Sequence, residues 1–350
     1  MKKTAITAAI LLASAGAAQA QLSIYGLIDA SYGKSLLGDV FLNEKADFHA
    51  GGDNGSSEGN STTRVGIKGA VDVGSGIKAN FRFETGGITS DGEVNPGGAF
   101  FNRQAWFGFS GGFGEVRLGR DFTPIYTGWS DFDAFSDNGV AAGGKFSDRI
   151  GSNVDTLTRS DNQLTYLLPA MGGVYGQLSV AAGEGAAGRK MIAGRVGYSA
   201  GPLNVSVALG RTEVTPTAGS DEHEVITLGG SYDLGVMRVL AYWRQNEFGA
   251  GKVTVTSIGA TVPLRSGTFR ASFTRADGSG RTPAGTLIGD NDADQFALGY
   301  VHNLSKRSAL YATYARVAND GRATYATGTP PALAAGATST GYEFGVRHSF

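Results

Sequence analysis

The chain ends Gly341-Tyr-Glu-Phe-Gly-Val-Arg-His-Ser-Phe350. Tyr342, Phe344, Val346, His348 and Phe350 share one parity, while Glu343, Gly345, Arg347 and Ser349 share the other. Such period-2 alternation marks a strand with one apolar face. Here it runs to the last residue, where most chains end in a polar, frayed tail. A terminal strand that holds its pattern to the end calls for pairing along its edges.

Upstream, the alternation recurs in segments of roughly ten residues, the length a tilted membrane strand needs. The segments are Leu22–Tyr32, Ser61–Val71, Ile77–Thr85, Phe100–Ser110, Glu115–Phe122, Ser160–Leu168, Val174–Ala182, Met191–Ser199, Leu203–Thr212, His223–Tyr232, Val236–Gln245, Val253–Val262, Thr268–Ala276, Asp294–His302, Ala309–Val317 and Ser339–Phe350. In the third, Ile77, Ala79, Phe81 and Phe83 alternate with Lys78, Asn80, Arg82 and Glu84. A soluble sandwich and a membrane barrel both produce that alternation, so the connections have to decide. Asp72–Gly76, Gly111–Gly114, Pro169–Gly173, Ala200–Pro202, Asp233–Gly235, Pro263–Gly267 and Asn303–Ser308 are short. They alternate with longer stretches at Gly33–Asn60, Gly86–Ala99, Asp121–Arg159, Glu213–Glu222, Asp277–Ala293 and Ala318–Thr338, and with modest ones at Gly183–Lys190 and Asn246–Lys252. Tight turns at one end and long loops at the other mark an outer-membrane barrel. The fold class is therefore all-β: a sixteen-stranded antiparallel transmembrane β-barrel with short periplasmic turns and long extracellular loops. Its last strand must pair with its first, which explains the unfrayed end.

The N-terminus agrees. Lys2 and Lys3 precede an apolar stretch, and Ala18-Gln-Ala20 is a small-x-small cleavage site. Residues 1–20 read as a secretory signal peptide, cut between Ala20 and Gln21. Residues 21–350 then form the barrel, and loss of two lysines takes the net charge from −1 to −3. No later run of 18 apolar residues offers a helical span. Zero cysteines exclude a disulfide scaffold, and 55 glycines suit a sheet with many turns better than helices. Near-balanced charge gives no field suited to nucleic acid.

Several stretches resemble the general diffusion porins of Gram-negative bacteria, in the branch typical of β-proteobacteria. They are Ser23-Ile-Tyr-Gly-Leu-Ile-Asp-Ala30, Thr63-Arg-Val-Gly-Ile-Lys-Gly69, Phe100 to Arg120, Phe122-Thr-Pro-Ile-Tyr126, Asn303 to Tyr314 and Gly345-Val-Arg-His-Ser-Phe350. The resemblance implies a homotrimer and a third outer loop folded into the pore. It also implies that the terminal strand, with Tyr342, Phe344, Val346 and Phe350, is read by the barrel-assembly machinery. Other partners would be outer-membrane lipid, lipopolysaccharide, and the small hydrophilic solutes and ions that cross. No cofactor or metal is implied.

A pore filters by width and charge, so lumen-facing charges are the candidate site. Parity sends Arg64, Lys68, Arg82, Arg117, Arg195 and Arg270 inward, since each alternates with apolar neighbours and a mid-depth lipid-facing arginine costs about 2–4 kcal/mol. The resemblance assigns Arg64, Arg103 and Arg159 to a basic wall at the constriction. Arg103 has the outward parity, and a bulge near Asn102 is needed to re-aim it. Arg120 also has that parity, but sits at a strand's outer end. In the third loop, Asp131, Asp133 and Asp137 supply the opposite sign, with Phe132 and Phe135 to pin the loop to the wall. The expected device is an arginine wall facing an acidic loop across a narrow opening, with a weak preference for anions.

Other motifs fail on context. Gly183-Glu-Gly-Ala-Ala-Gly188 precedes a strand rather than the helix a dinucleotide site requires. Gly108-Phe-Ser-Gly-Gly112 leads into a tight turn, which no nucleophile elbow does. The four histidines lack zinc spacing, and Asp290, Asp292 and Asp294 lack the glycine and glutamate of a calcium loop. Two alternatives differ in class: a channel with a defined solute-binding site, and a barrel-borne lipase or protease. Too few tryptophans support the first, and no spaced Ser/His or Asp/His pair supports the second.

Overall fold

The computed structural model describes residues 21–37, 47–50, 59–89, 92–94, 98–146, 150–217, 220–328 and 333–350. The proposed signal peptide, with Ala20, lies outside the described residues.

Sixteen long strands close into one antiparallel barrel. They are β1 (Gln21–Leu37), β3 (Arg64–Gly74), β4 (Ile77–Gly86), β5 (Gln104–Gly111), β6 (Gly114–Phe122), β7 (Arg159–Leu167), β8 (Val174–Ala182), β9 (Lys190–Ala200), β10 (Leu203–Thr217), β11 (Ser220–Asp233), β12 (Arg238–Phe248), β13 (Gly251–Leu264), β14 (Gly267–Ser279), β15 (Ala293–Asn303), β16 (Ser308–Asn319) and β17 (Ser339–Ser349). A short extra strand that the sequence pattern did not predict, β2 (Asp47–Ala50), lies in the first loop and pairs with Ala30–Gly33 of β1. Each predicted segment corresponds to one long strand. The expected modest loop at Asn246–Lys252 is instead a hairpin tip of Gly249 and Ala250, because β12 and β13 run on to meet it.

Closure joins β1 to β17 from Leu27↔Ser349 to Leu37↔Ser339. Beyond that ladder, Phe350 and Gly26 exchange both backbone hydrogen bonds at 3.1 Å. The Phe350 ring covers Gly26 so closely that any side chain there would collide with it. On β17, Phe344 and Val346 are exposed on the outward face, as is Phe350 just past its end, and Glu343 is buried inside. The outer surface elsewhere is likewise apolar, with Leu118, Leu164, Leu178, Leu209, Ile258 and Phe296 exposed.

The inner surface is uneven. At the outer half of β9–β16 many inward positions are small or apolar: Ala193, Ala208, Ala297, Ala315, Val255 and Val317 are all buried, beside the buried polar His223, Arg244, Asn246 and Gln295. The third loop fills the space they leave. It opens with helix α1 (Pro124–Ser130), capped by Thr123 and started by Pro124, which needs no N–H partner in the first turn. Two 3₁₀ turns, Gly139–Ala141 and Gly144–Phe146, follow.

Candidate functional site

The third loop is held inside the barrel by sockets for its aromatic residues. Phe132 seats against Gly229 and Phe135 against Gly299, and both phenylalanines are buried. Trp129 lies 5.4 Å from the ring of Tyr242, with the Arg244 guanidinium 4.3 Å from its own. Phe146 meets Tyr325 of the last outer loop edge to face at 4.9 Å. Polar contacts complete the seat. Gln295 donates to Ala141 O at 2.9 Å, and Lys145 donates to Gln295 Oε1 at 2.7 Å. This packing displaces the loop towards β9–β16 and leaves the open side along β3–β7.

On that open side a cavity of about 530 Å³ separates the wall from the loop. Arg64, Arg103, Arg120 and Arg159 line it, and Ser136, Asp137 and Asn138 face them. Ser136 and Asp137 both adopt left-handed backbone, at φ 54° and 55°. Two such non-glycine residues in succession are costly, and strain of this kind gathers at functional sites.

Each arginine reaches the cavity by a different local cause. Arg64 follows its parity and is fixed by Ser61 Oγ and Thr62 O, both at 3.0 Å. Arg103 has no bulge to re-aim it. Instead β5 begins only at Gln104, so Arg103 lies beyond the ladder and turns inward to Glu84, Nε to Oε1 2.7 Å. Arg120 leaves β6 opposite Ala105 and crosses the end of β5 to Asn102 O at 2.5 Å and Asp161 Oδ1 at 2.6 Å. There the β6–β7 ladder breaks register, with an extra residue on β7 and Asn162 at φ 50°. Gly119 makes the close approach possible, because a Cβ there would strike Ala105 O. Arg159 lies beyond the break, directly opposite Phe122.

The other two predicted wall arginines stand apart from this cavity. Arg82 points inward one layer below and donates to Gln104 Oε1 at 3.0 Å. Arg117 lies deeper, between Glu115 at 3.0 Å and Asp121 at 2.9 Å, with its guanidinium 4.2 Å from the Trp106 ring. Its charge is compensated twice over.

The loop acids depart further from expectation. Asp131 does not face the arginine cavity; it pairs with Arg195 of β9 at 2.6 Å. Asp133 is buried and accepts from the backbone N–H of Phe135 and Asp137, both at 3.0 Å. Burial raises its carboxyl above the ordinary range. Asp137 borders the cavity but spends Oδ1 on Gly144 N at 2.6 Å. Burial, and then Asp133 beside it, push its carboxyl up to about 6. Lys145 is lowered to about 7 by burial, against the pull of Asp137 and Asp133. Asp133 and Asp137 are thus tied to backbone of the loop itself, and Asp131 is tied to the wall at Arg195. Near the arginines, Glu84 and Asp161 are the paired carboxylates, and Arg159 has none within 4.0 Å among the described residues. Positive charge is in excess along this cavity.

Sequence reasoning missed the socket residues Gly229 and Gly299, together with Glu343. Glu343 is buried beside Gly139 of the loop and accepts from Gly59 N at 3.0 Å. A signal was present: at the outer ends of β13, β15 and β16 the outward parity is charged while Val253, Val255, Ala293 and Val317 stand on the inward one, and apolar positions facing a wet lumen must be covered. Among the described residues no cluster of metal-type ligands occurs, and Asp292 accepts from Gly278 N at 3.0 Å.

Comparison with known proteins points the same way. A family model described as Gram-negative porin matches residues 5–322. Outer membrane porin protein 32 of Delftia acidovorans is 32% identical, with all of both chains covered. An outer membrane porin protein of Bordetella pertussis is 29% identical over the same full extent. The solved structure titled anion-selective porin from Comamonas acidovorans superposes with a TM-score of 0.80 at 30% identity, covering 95% of this chain and all of the other.

Proposed function

Because this chain belongs to the Gram-negative porin family, a family of channels rather than enzymes, we propose that its arginine-lined cavity is the constriction at which ions are selected, with a weak preference for anions. The protein is an outer-membrane porin, a water-filled pore through which small hydrophilic solutes and ions diffuse passively. One observation carries the anion reading: Arg64, Arg103, Arg120 and Arg159 converge on one cavity, while the facing loop binds its own carboxylates. An excess of fixed positive charge at a narrow point raises anion and lowers cation occupancy. A relative titled anion-selective supports the same sign. The test is the reversal potential of the purified protein in a planar bilayer under a KCl gradient. A potential marking chloride as the faster ion is expected, and one marking potassium overturns the anion reading.

A homotrimer belongs to the same proposal. Facing outward near the upper rim, β10–β16 carry Arg211, Glu224, Glu247, Lys252, Arg275, Asp294 and Arg316. Outside β4 and β5 the surface instead bears a run of rings, Phe81–Phe83–Phe101–Phe100, spaced 5.6, 5.2 and 4.9 Å apart. Charged residues suit lipid head groups and lipopolysaccharide, and an uncharged aromatic strip suits a second copy. Export by the signal peptide predicts a mature chain beginning at Gln21, which the intact mass of the membrane-extracted protein checks. Recognition of the β17 terminus by the assembly machinery completes the proposal.

A further inference from the structure

Two of the cavity arginines share an aromatic support. Phe122 is the last residue of β6, and Tyr126 stacks on its ring with centroids 5.3 Å apart and planes 12° apart. The Arg159 guanidinium lies 4.4 Å from the Phe122 centroid and that of Arg103 lies 5.7 Å from it. Both fall within the range at which a ring face attracts a cation. Phe122 and Arg159 are also direct partners in the ladder, so strand register builds the contact. The two arginines differ in what else holds them. Arg103 has Glu84, whereas Arg159 has no carboxylate within 4.0 Å among the described residues, and its Nε has no hydrogen-bond partner.

We propose that Phe122 is the positioning residue of the selectivity filter, holding Arg159 and, more weakly, Arg103 by their flat faces. This rests on reading the cavity as the ion-selecting constriction. A carboxylate would hold a guanidinium still but cancel its charge. Leaving it unsupported would preserve the charge but let the side chain swing away. An aromatic face restrains the plane and keeps both the charge and the N–H edges, which are the parts a passing anion meets. Tyr126 braces the ring from the loop side, so docking of α1 and orientation of Arg159 are coupled.

The experiment compares reversal potentials under one KCl gradient for the wild type, Phe122→Met, Phe122→Tyr, Arg159→Lys and the Phe122→Met/Arg159→Lys double variant. Methionine fills similar volume without a ring face, and lysine keeps charge without a flat face. Phe122→Met is expected to lower the chloride-to-potassium permeability ratio about two- to fivefold, the range one such contact allows. Phe122→Tyr should retain the ratio. Arg159→Lys should show the same fall, with no further fall in the double variant, because both changes remove one coupling. An unchanged ratio in Phe122→Met, or additive losses in the double variant, overturns the proposal. Should Phe122→Met fail to fold, judged by heat-modifiable gel mobility, Arg159→Lys decides alone: a wild-type ratio overturns the proposal and a lowered one supports it. A wild type without anion preference defeats the reading of the cavity and this proposal with it. Anion preference with an indifferent Phe122 defeats this proposal alone.

Discussion

Glu84 sets the charge balance at the proposed constriction. Its Oε1 pairs with Arg103 at 2.7 Å, its Oε2 accepts from Tyr25 at 2.7 Å, and Arg64 stands 4.0 Å away. Glu84→Gln keeps the shape and the acceptor but removes one negative charge beside two arginines. At contact distance in a wet pore that charge is worth about 1 kcal/mol, so the chloride-to-potassium ratio should rise about two- to fivefold. Reversal potentials measure this directly, and a fall instead would mean that Glu84 matters more as the anchor of Arg103. The same residues show what alternation can reveal. Arg64, Arg82 and Arg117 were legible as inward because they lie within regular ladders. Arg103 and Arg120 were not: Arg103 precedes β5 and Arg120 sits at the register break between β6 and β7, where parity no longer dictates direction. Phe122 escaped notice because an aromatic at a strand end reads as part of an interface girdle. Asp131 and Asp133 were legible as loop acids, but nothing in their spacing foretold that Arg195 and two backbone amides would claim them.

The third loop is an element whose seat should depend on pH in two opposed ways. Asp137, raised from 3.8 to about 6, holds its proton more tightly in the docked loop than in a released one. Its contribution to docking is complete below about 4 and is lost as pH rises through about 6. Lys145, lowered from 10.5 to about 7, behaves conversely. Its contribution is complete above about 10.5 and is lost as pH falls through about 7. Docking should therefore be weakest between about pH 6 and 7 and strengthen on either side. Hydrogen exchange of residues 131–146, corrected for intrinsic rates, should show least protection in that window. Asp137→Asn should weaken the acid arm, which Asp133, raised in the same direction, shares, and Lys145→Met should abolish the alkaline arm; protection that rises or falls monotonically across the range would refute this account. At the element level the strands were legible almost throughout, because membrane crossing imposes length and alternation together. The helix and 3₁₀ turns of the loop were hidden, because their shape is dictated by sockets on strands far away in sequence.

At the scale of the molecule, the aromatic strip on β4 and the residues leading into β5 predicts that Phe83→Arg yields monomers on a mild-detergent gel while the wild type runs as a trimer. Arginine there is tolerable facing water but expensive in a contact between copies or in lipid, by about 2–4 kcal/mol at mid-depth. A trimer that survives the change would place the contact on another face. The join between β1 and β17 has a further consequence, for time rather than for shape. Leu27 meets Ser349 across almost the full length of the chain. Contacts so remote in sequence form late, since the entropy of closing the intervening loop must be met first. Until the final strand arrives, the sheet exposes two free edges that any passing strand can template. The chain therefore has no safe halfway state in water, and its last few residues are the latch that ends its period of danger.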